Sequence, residues 1–223
     1  MKDSGVPWIG EIPVGWTVWR FKRLALVRNG QVDPRDQRFR ERPLFAPNHI
    51  ESATGRLLDV TSAEDQGAES GKYLVTRGDV LYSKIRPALA KVCIAPYDGL
   101  CSADMYAIHP RPGVEPRFVM WSMLERGFTH AATLESERVA MPKINRECLA
   151  ELEMVAPPLE EQRRIAAFLD ARTAAIDAAL DTHEATLTLL SERRQSLVSH
   201  AVTRGLDPSA PTHDSGVAAI GEI

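Results

Sequence analysis

One segment constrains this chain more than any other. Pro157 and Pro158 block any earlier helix, Glu160 and Glu161 suit a first turn, and a helical pattern then runs unbroken to Arg204. Gly205 and Asp207-Pro208 supply the stop. Roughly 45 residues at ~1.5 Å each make a rod of about 65 Å. Along it, Ile176, Leu180, His183, Leu187, Leu190, Arg194, Leu197 and Ala201 follow one another at steps of 4, 3, 4, 3, 4, 3 and 4. That is a heptad seam, and a long helix with a single apolar stripe is not stable alone in water. It requires a second helix, and an antiparallel coiled coil is expected. His183 and Arg194 interrupt the seam, where polar residues set register and partner at a cost in stability. No second ligand sits four residues from His183, so a metal or catalytic role for it is not supported.

The remaining length, within 223 residues, suffices for one well-buried domain. No apolar run approaches the ~20 residues that span a bilayer, and no membrane association is expected. Met1–Pro13 lacks the apolar stretch of a secretory signal. Cys93, Cys101 and Cys148 form no CxxC pair, which fits a reduced cytoplasmic setting without disulfides or zinc. The net charge of −3 argues at first against nucleic acid. The charge is nevertheless segregated. Between Arg20 and Arg42 there are eight basic residues, among them Arg35 and Arg38, against Asp33, Asp36 and Glu41. Between Lys72 and Lys91 there are five, among them Arg77, Lys84 and Arg86, against Asp79 alone. Such blocks can form a local anion-binding face on an acidic protein, the alternative being ordinary solvated surface.

Residues 14–150 read as a mixed domain. Lys72–Val75, Asp79–Tyr82 and Lys91–Ala95 are β-rich runs punctuated by Gly78, Pro87, Pro96 and Gly99. Helical patches fall at Pro116–Arg126 and Arg146–Leu152, with Asn145 as a candidate N-cap for the second. The fold class is therefore α+β, with loops between short strands as the contact surface.

Catalytic signatures are missing. The only Pro-Pro pair, Pro157-Pro158, lacks the amide and ring of a base-methylating tetrapeptide. No glycine-rich nucleotide loop is present. Glu69-Ser70-Gly71-Lys72 resembles the tail of a nuclease site but has no carboxylate partner at sensible spacing. Recognition chemistry remains. In Gly78–Pro87, Ser83, Lys84 and Arg86 are expected to project from one face beside a nucleic-acid backbone, lysine as a point charge and arginine as a fork for phosphate or guanine. Arg138, Lys143, Asn145 and Arg146 form a second polar group around Pro142.

One internal repeat stands out. Residues 2–12, KDSGVPWIGEI, recur as HDSGVAAIGEI at 213–223, with eight of eleven positions identical. The 211-residue period is that of a whole domain and its connector. The sequence reads as one unit followed by the first strokes of a second, either cut from a two-unit protein or a natural half.

Together these segments resemble the specificity subunit of Type I restriction–modification systems. The resemblance is carried by Trp8–Pro13 with Trp16, Gly78–Val92 (GDVLYSKIRPALAKV), Cys101–Tyr106 (CSADMY), Arg138–Asn145, Pro157–Gln162 (PPLEEQ) and Ser196–Pro208. It implies a target-recognition domain over 1–156, a spacer and dimerisation helix over 157–205, and a tail over 206–223 that repeats the start. It also implies a non-catalytic reader of one half of a split site in double-stranded DNA. The partners would be methyltransferase subunits, which carry S-adenosylmethionine, and a restriction subunit. The chain itself would hold no cofactor and no metal. Full-length members have two recognition domains, whereas here Ala218-Ala219 stand where the first copy has Pro7-Trp8. As a half-subunit the chain is expected to form a homodimer through Ile176–Ala201. A protein-interaction scaffold with no direct base readout is the alternative.

Overall fold

A computed structural model describes residues 1–136, 142–207, 211 and 213–217. In chain order its elements are β1 (Lys2–Asp3), β2 (Glu11–Ile12), β3 (Thr17–Arg20), the single turn α1 (Phe21–Leu24), β4 (Ala25–Val27), β5 (Gln31–Val32), β6 (Leu44–Phe45) and β7 (Lys72–Val75). There follow β8 (Val80–Ser83), β9 (Val92–Ile94), β10 (Gly99–Cys101), β11 (Met105–Pro110), α2 (Pro116–Leu124), α3 (Arg126–Ser136), α4 (Arg146–Glu151), β12 (Glu153–Ala156) and α5 (Leu159–Arg204). This is an α+β fold with a long helix. It divides into two compact units, Met1–Leu169 and Asp170–Ile223.

The period-two alternation of strand side chains explains the layering of the first unit. Its central sheet is antiparallel, in the order β4-β11-β8-β9. Val80, Tyr82, Val92, Tyr106 and Ile108 face one side, where Phe21, Val119, Met123, Phe128 and Leu149 from α1 to α4 complete the largest core. Leu81, Cys93, Met105 and Ala107 face the other and meet Phe45, Val75 and Cys101 of a second sheet. That sheet has the order β5-β7-β10-β6, with β10 and β6 parallel. Its outer face carries Leu44 and Leu100 under Ala63. A strand buried on both faces reads as a continuous apolar run, as VLY in β8 does. Burial in the second core pushes the Cys93 and Cys101 thiols up to about 12, so both stay protonated and unreactive.

Pro116–Arg126 does not continue as one helix. The chain breaks at Glu125, whose carboxylate accepts the Phe128 N–H at 2.9 Å and so caps α3. Gly127 sits at this junction because Trp8 lies against it, and a methyl group there would be 2.4 Å from the indole.

The Pro157–Gln162 segment is an anchor. Gln162 is buried, donates from Nε2 to the Pro157 carbonyl at 2.8 Å and accepts the Glu115 N–H ahead of α2 at 2.9 Å. Trp16 Nε1 donates to Glu161 at 2.9 Å, and β12 pairs with β3 alongside. Helix α5 is 46 residues long, which at ~1.5 Å per residue is about 69 Å. Within the second unit Ile176, Leu180, Leu187, Leu190 and Leu197 are exposed, as are His183, Arg194 and Ala201. No described helix is long and apolar enough to cross a membrane.

The repeated segment folds into the same turn in both places. Gly5 N–H donates to Asp3 Oδ1 at 2.9 Å and Val6 N–H to Ser4 Oγ at 3.1 Å. Gly216 and Val217 make the matching bonds to Asp214 and Ser215 at 3.0 and 3.2 Å. Both glycines have positive φ, +76° and +70°, which the turn requires. Val6 is buried whereas Val217 is exposed.

Gln162→Leu should leave one N–H and one C=O unpaired in a buried site. A loss of about 2–3 kcal/mol in urea unfolding of the full chain is expected.

Candidate nucleic-acid interface

Strand β8 ends at Ser83, and the next three residues form a short ladder with a distant segment. Lys84 N–H donates to Asp104 O at 3.0 Å, Ile144 N–H to Lys84 O at 2.9 Å, and Arg86 N–H to Pro142 O at 2.8 Å. Ile85 and Lys143 form an antiparallel bridge. The Lys84–Arg86 group and the described part of the second group, Lys143–Arg146, are thereby brought together at the end of β8, an interior strand of the central sheet.

Tyr106, on the neighbouring strand β11, lies at the centre of this cluster. Its hydroxyl donates to Ile144 O at 3.1 Å, and burial pushes its phenol up to about 12, so the donor stays protonated at neutral pH. Lys84 Nζ lies 5.7 Å from the Tyr106 ring centre. The Arg146 guanidinium lies 5.4 Å from the ring centres of both Tyr106 and Tyr73. Each such contact contributes about 0.5–2 kcal/mol, more where water is excluded. Arg146 also donates to Arg28 O at 2.9 Å and to Asn29 Oδ1. Its donors are thus engaged within the protein, where they pin α4 to the turn after β4.

Arg86 is exposed and adopts a left-handed backbone, φ +48°, ahead of Pro87. Ala90 does the same, φ +44°, on the far side of the 3₁₀ turn Pro87–Leu89. Two such residues cost on the order of 1–3 kcal/mol each and persist only where their surroundings hold them. Here the bonds from Arg86 to Pro142 and from Ala53 N–H to Ala90 O (3.2 Å) do so.

The other sequence-predicted residues distribute as follows. Ser83 is buried and its hydroxyl donates to Ile85 O at 3.0 Å. Neighbouring strand residues point to opposite faces, so Ser83 and Lys84 do not project together, contrary to expectation. Asn145 caps α4 by accepting the Cys148 N–H at 2.7 Å, and Lys143 is exposed beside it. Arg77 is exposed on the turn between β7 and β8, at the opposite end of β8 from Lys84, with its N–H on Asp98 at 2.8 Å. Arg35 and Arg38 are exposed in the loop after β5, paired with Asp33 and Asp36. Arg38 holds the Asp36 carboxyl down at about 2. Arg138 lies outside the described residues.

Several contributors escape sequence reading. Asp79 is fully buried and accepts from Arg28 Nε, from Arg28 Nη2 at 3.0 Å and from Thr76 N–H at 2.9 Å. His109 Nδ1 lies 2.9 Å from the same carboxylate. Arg28 therefore joins this buried ion pair to the Arg146 cluster through its own carbonyl. Tyr73 and Asn29 belong to the cluster too. Tyr106 lies in CSADMY and Asp79 in GDVLYSKIRPALAKV, both legible as stretches, but neither stretch announces the partner its residue meets. Among the described residues no group of His, Cys, Asp and Glu side chains is arranged to hold a metal ion.

Residues 13–187 match the Type I restriction modification DNA specificity domain, and the chain belongs to that family. It is 39% identical over 154 residues to the Type I restriction enzyme EcoDI specificity subunit of Escherichia coli, covering 69% of this chain and 34% of that protein. It is 27% identical over 214 residues to the putative type I restriction enzyme MjaX specificity subunit of Methanocaldococcus jannaschii, covering 89% of this chain and 48% of that protein. The chain thus spans half or less of these curated relatives. The HsdS subunit of Thermoanaerobacter tengcongensis superposes with a TM-score of 0.66 at 22% identity, covering 90% of this chain and 52% of that one. A chain from a type I R-M system gives 0.62 at 23% identity, over 88% and 48%. These last two likenesses concern the fold.

Asp79→Ala should strand the Arg28 guanidinium and cost about 3 kcal/mol in denaturant unfolding. A loss below 1 kcal/mol would mean that Arg28 finds water instead.

Proposed function

We propose that this chain is a DNA-reading component of a Type I restriction–modification complex. Its mixed domain, 1–156, reads one half of a split double-stranded site. Its helix, 157–205, pairs with a second helix as an antiparallel spacer, in a homodimer if the chain acts as a half-subunit. The assembly directs methyltransferase subunits, which bring S-adenosylmethionine, and a restriction subunit, in the cytoplasm. The observation that carries this reading is the joining of Lys84–Arg86 to Lys143–Arg146 at the end of β8, inside the span matched by the specificity family.

Each residue's role follows from its freedom. Lys84, Arg86 and Lys143 supply phosphate contacts, with Arg77 at the margin. Arg146 acts indirectly, by holding the cluster together, and Asn145 orients it. The acidic total charge does not oppose this, since charges beyond about 10 Å are screened at ordinary salt.

Binding of a labelled duplex by the full chain should weaken steeply as salt rises, and Lys84→Ala should flatten the log–log slope by about one unit while weakening all sequences alike. Salt-independent binding, or none, would point to a protein-only scaffold. Light scattering after size-exclusion chromatography should give twice the chain mass, and Leu187→Lys with Leu190→Lys should halve it. A wild-type chain that stays monomeric, also beside the methyltransferase subunit, removes the spacer reading.

A further inference from the structure

The loop between β5 and β6 contains one three-residue device twice, Asp33-Pro34-Arg35 and Asp36-Gln37-Arg38. In the first, Asp33 Oδ1 accepts the Arg35 backbone N–H and Nε, both at 3.0 Å, while Oδ2 accepts Nη2 at 2.9 Å. In the second, Asp36 Oδ1 accepts the Arg38 N–H at 2.9 Å and Nε at 3.1 Å, and Oδ2 accepts Nη2 at 2.8 Å. Arg38 also lies over the Phe39 ring at 5.1 Å, so its plane is fixed at edge and face. Each guanidinium is gripped along its Nε–Nη2 edge. Nη1 and the second hydrogen of Nη2, the terminal two-donor end, take no part in the clamp, on side chains that are 68% and 75% exposed.

The fold gains little from these clamps, because exposed ion pairs contribute almost nothing to stability and ordering a long side chain costs rotamer entropy. Phosphate binding gains little either. Within Asp33–Arg38 two carboxylates cancel two guanidiniums, and a carboxylate a few ångströms from the fork repels an incoming phosphate. A neutral acceptor pair suffers no such opposition. Guanine presents O6 and N7 side by side in the major groove, spaced to take the two-donor end of an arginine. Preorganising that end lowers the entropy lost on contact.

We infer that Arg35 and Arg38 read guanine bases, with Asp33 and Asp36 as positioning residues that aim them. This rests on the DNA-reading function proposed above and extends it from DNA in general to a base type. Phosphate attraction is then left to Lys84 and its neighbours.

The test is selection from a pool of duplex DNA with randomised positions, by the full chain and by Arg35→Gln, Arg38→Gln, Arg38→Lys and Asp36→Asn. Affinities for the selected sites are then measured across a salt series. The wild-type sites should contain guanine, and each glutamine variant should lose preference at one guanine by roughly ten- to hundredfold, with other positions unchanged. Arg38→Lys keeps the charge but not the fork and should lose the same preference. Asp36→Asn should weaken that preference while strengthening binding to unrelated duplex. Thermal unfolding superimposable on wild type confirms that the variants fold. Arg38→Gln weakening every sequence alike, with the salt slope flattened by about one, would make it a phosphate contact and overturn the inference. Unchanged preferences in all variants would overturn it too, and both results leave DNA reading intact. Failure of the wild-type chain to bind any duplex, with or without the methyltransferase subunit, overturns DNA reading itself.

Discussion

The basic cluster at the end of β8 depends on a few backbone hydrogen bonds between two segments far apart in the chain, residues 84–86 and 142–144. β8 is committed on both faces to apolar packing, so its side chains have no freedom to reach solvent until the strand ends at Ser83. At the ladder with Pro142–Ile144 the run after β8 brings Lys84, half-buried, and Arg86, exposed, beside Lys143. The ladder also begins α4, because Asn145 follows immediately as the cap. Arg146 then reaches back over Tyr106 and Tyr73 to the turn after β4. One strand end, one helix start and one loop are thus fixed by the same contact. The positions of Lys84, Arg86 and Lys143 relative to one another follow from it.

The acidic composition of the chain is compatible with DNA because the cations are used in different ways. Arg28 and Arg146 are structural, one bound to a buried carboxylate and the other stacked on aromatic rings. Arg20 and Lys22 are tied to Glu151 on the surface. Counting arginines therefore overstates the number available to a ligand. The environment of each, rather than the total, decides what it can do. Arginine suits the stacked and forked roles because its guanidinium is planar and always charged.

Much of the architecture was legible in the sequence because it is specified locally. The ends of α5 follow from Pro157-Pro158 and Gly205, and β7 falls on the run Lys72–Val75 as read. Asn145 was legible as a cap for the same reason. The rest is non-local. Arg146 looked like a surface cation because nothing near it in sequence announces Tyr73 or Asn29. Asp79 looked like a solitary acid in a basic stretch, whereas it is buried and neutralised by Arg28 from the turn after β4. Ser83 was misjudged through the pleat itself: adjacent residues cannot share a face, so it turns inward when Lys84 turns out. The break at Glu125 was hidden because glutamate is a good helix former, and only its bond to the Phe128 N–H makes it a boundary.

The repeated Asp-Ser-Gly-Val turn closes on hydrogen bonds among its own four residues, in one place above a packed core and in the other with its valine in solvent. Its shape therefore does not depend on the core it accompanies. A punctuation mark of this kind is portable: it can open a module wherever it is written, before any of that module's interior exists. Under the split-site reading proposed above, such a mark would let one reading head be exchanged for another while the point of entry into the fold stays the same.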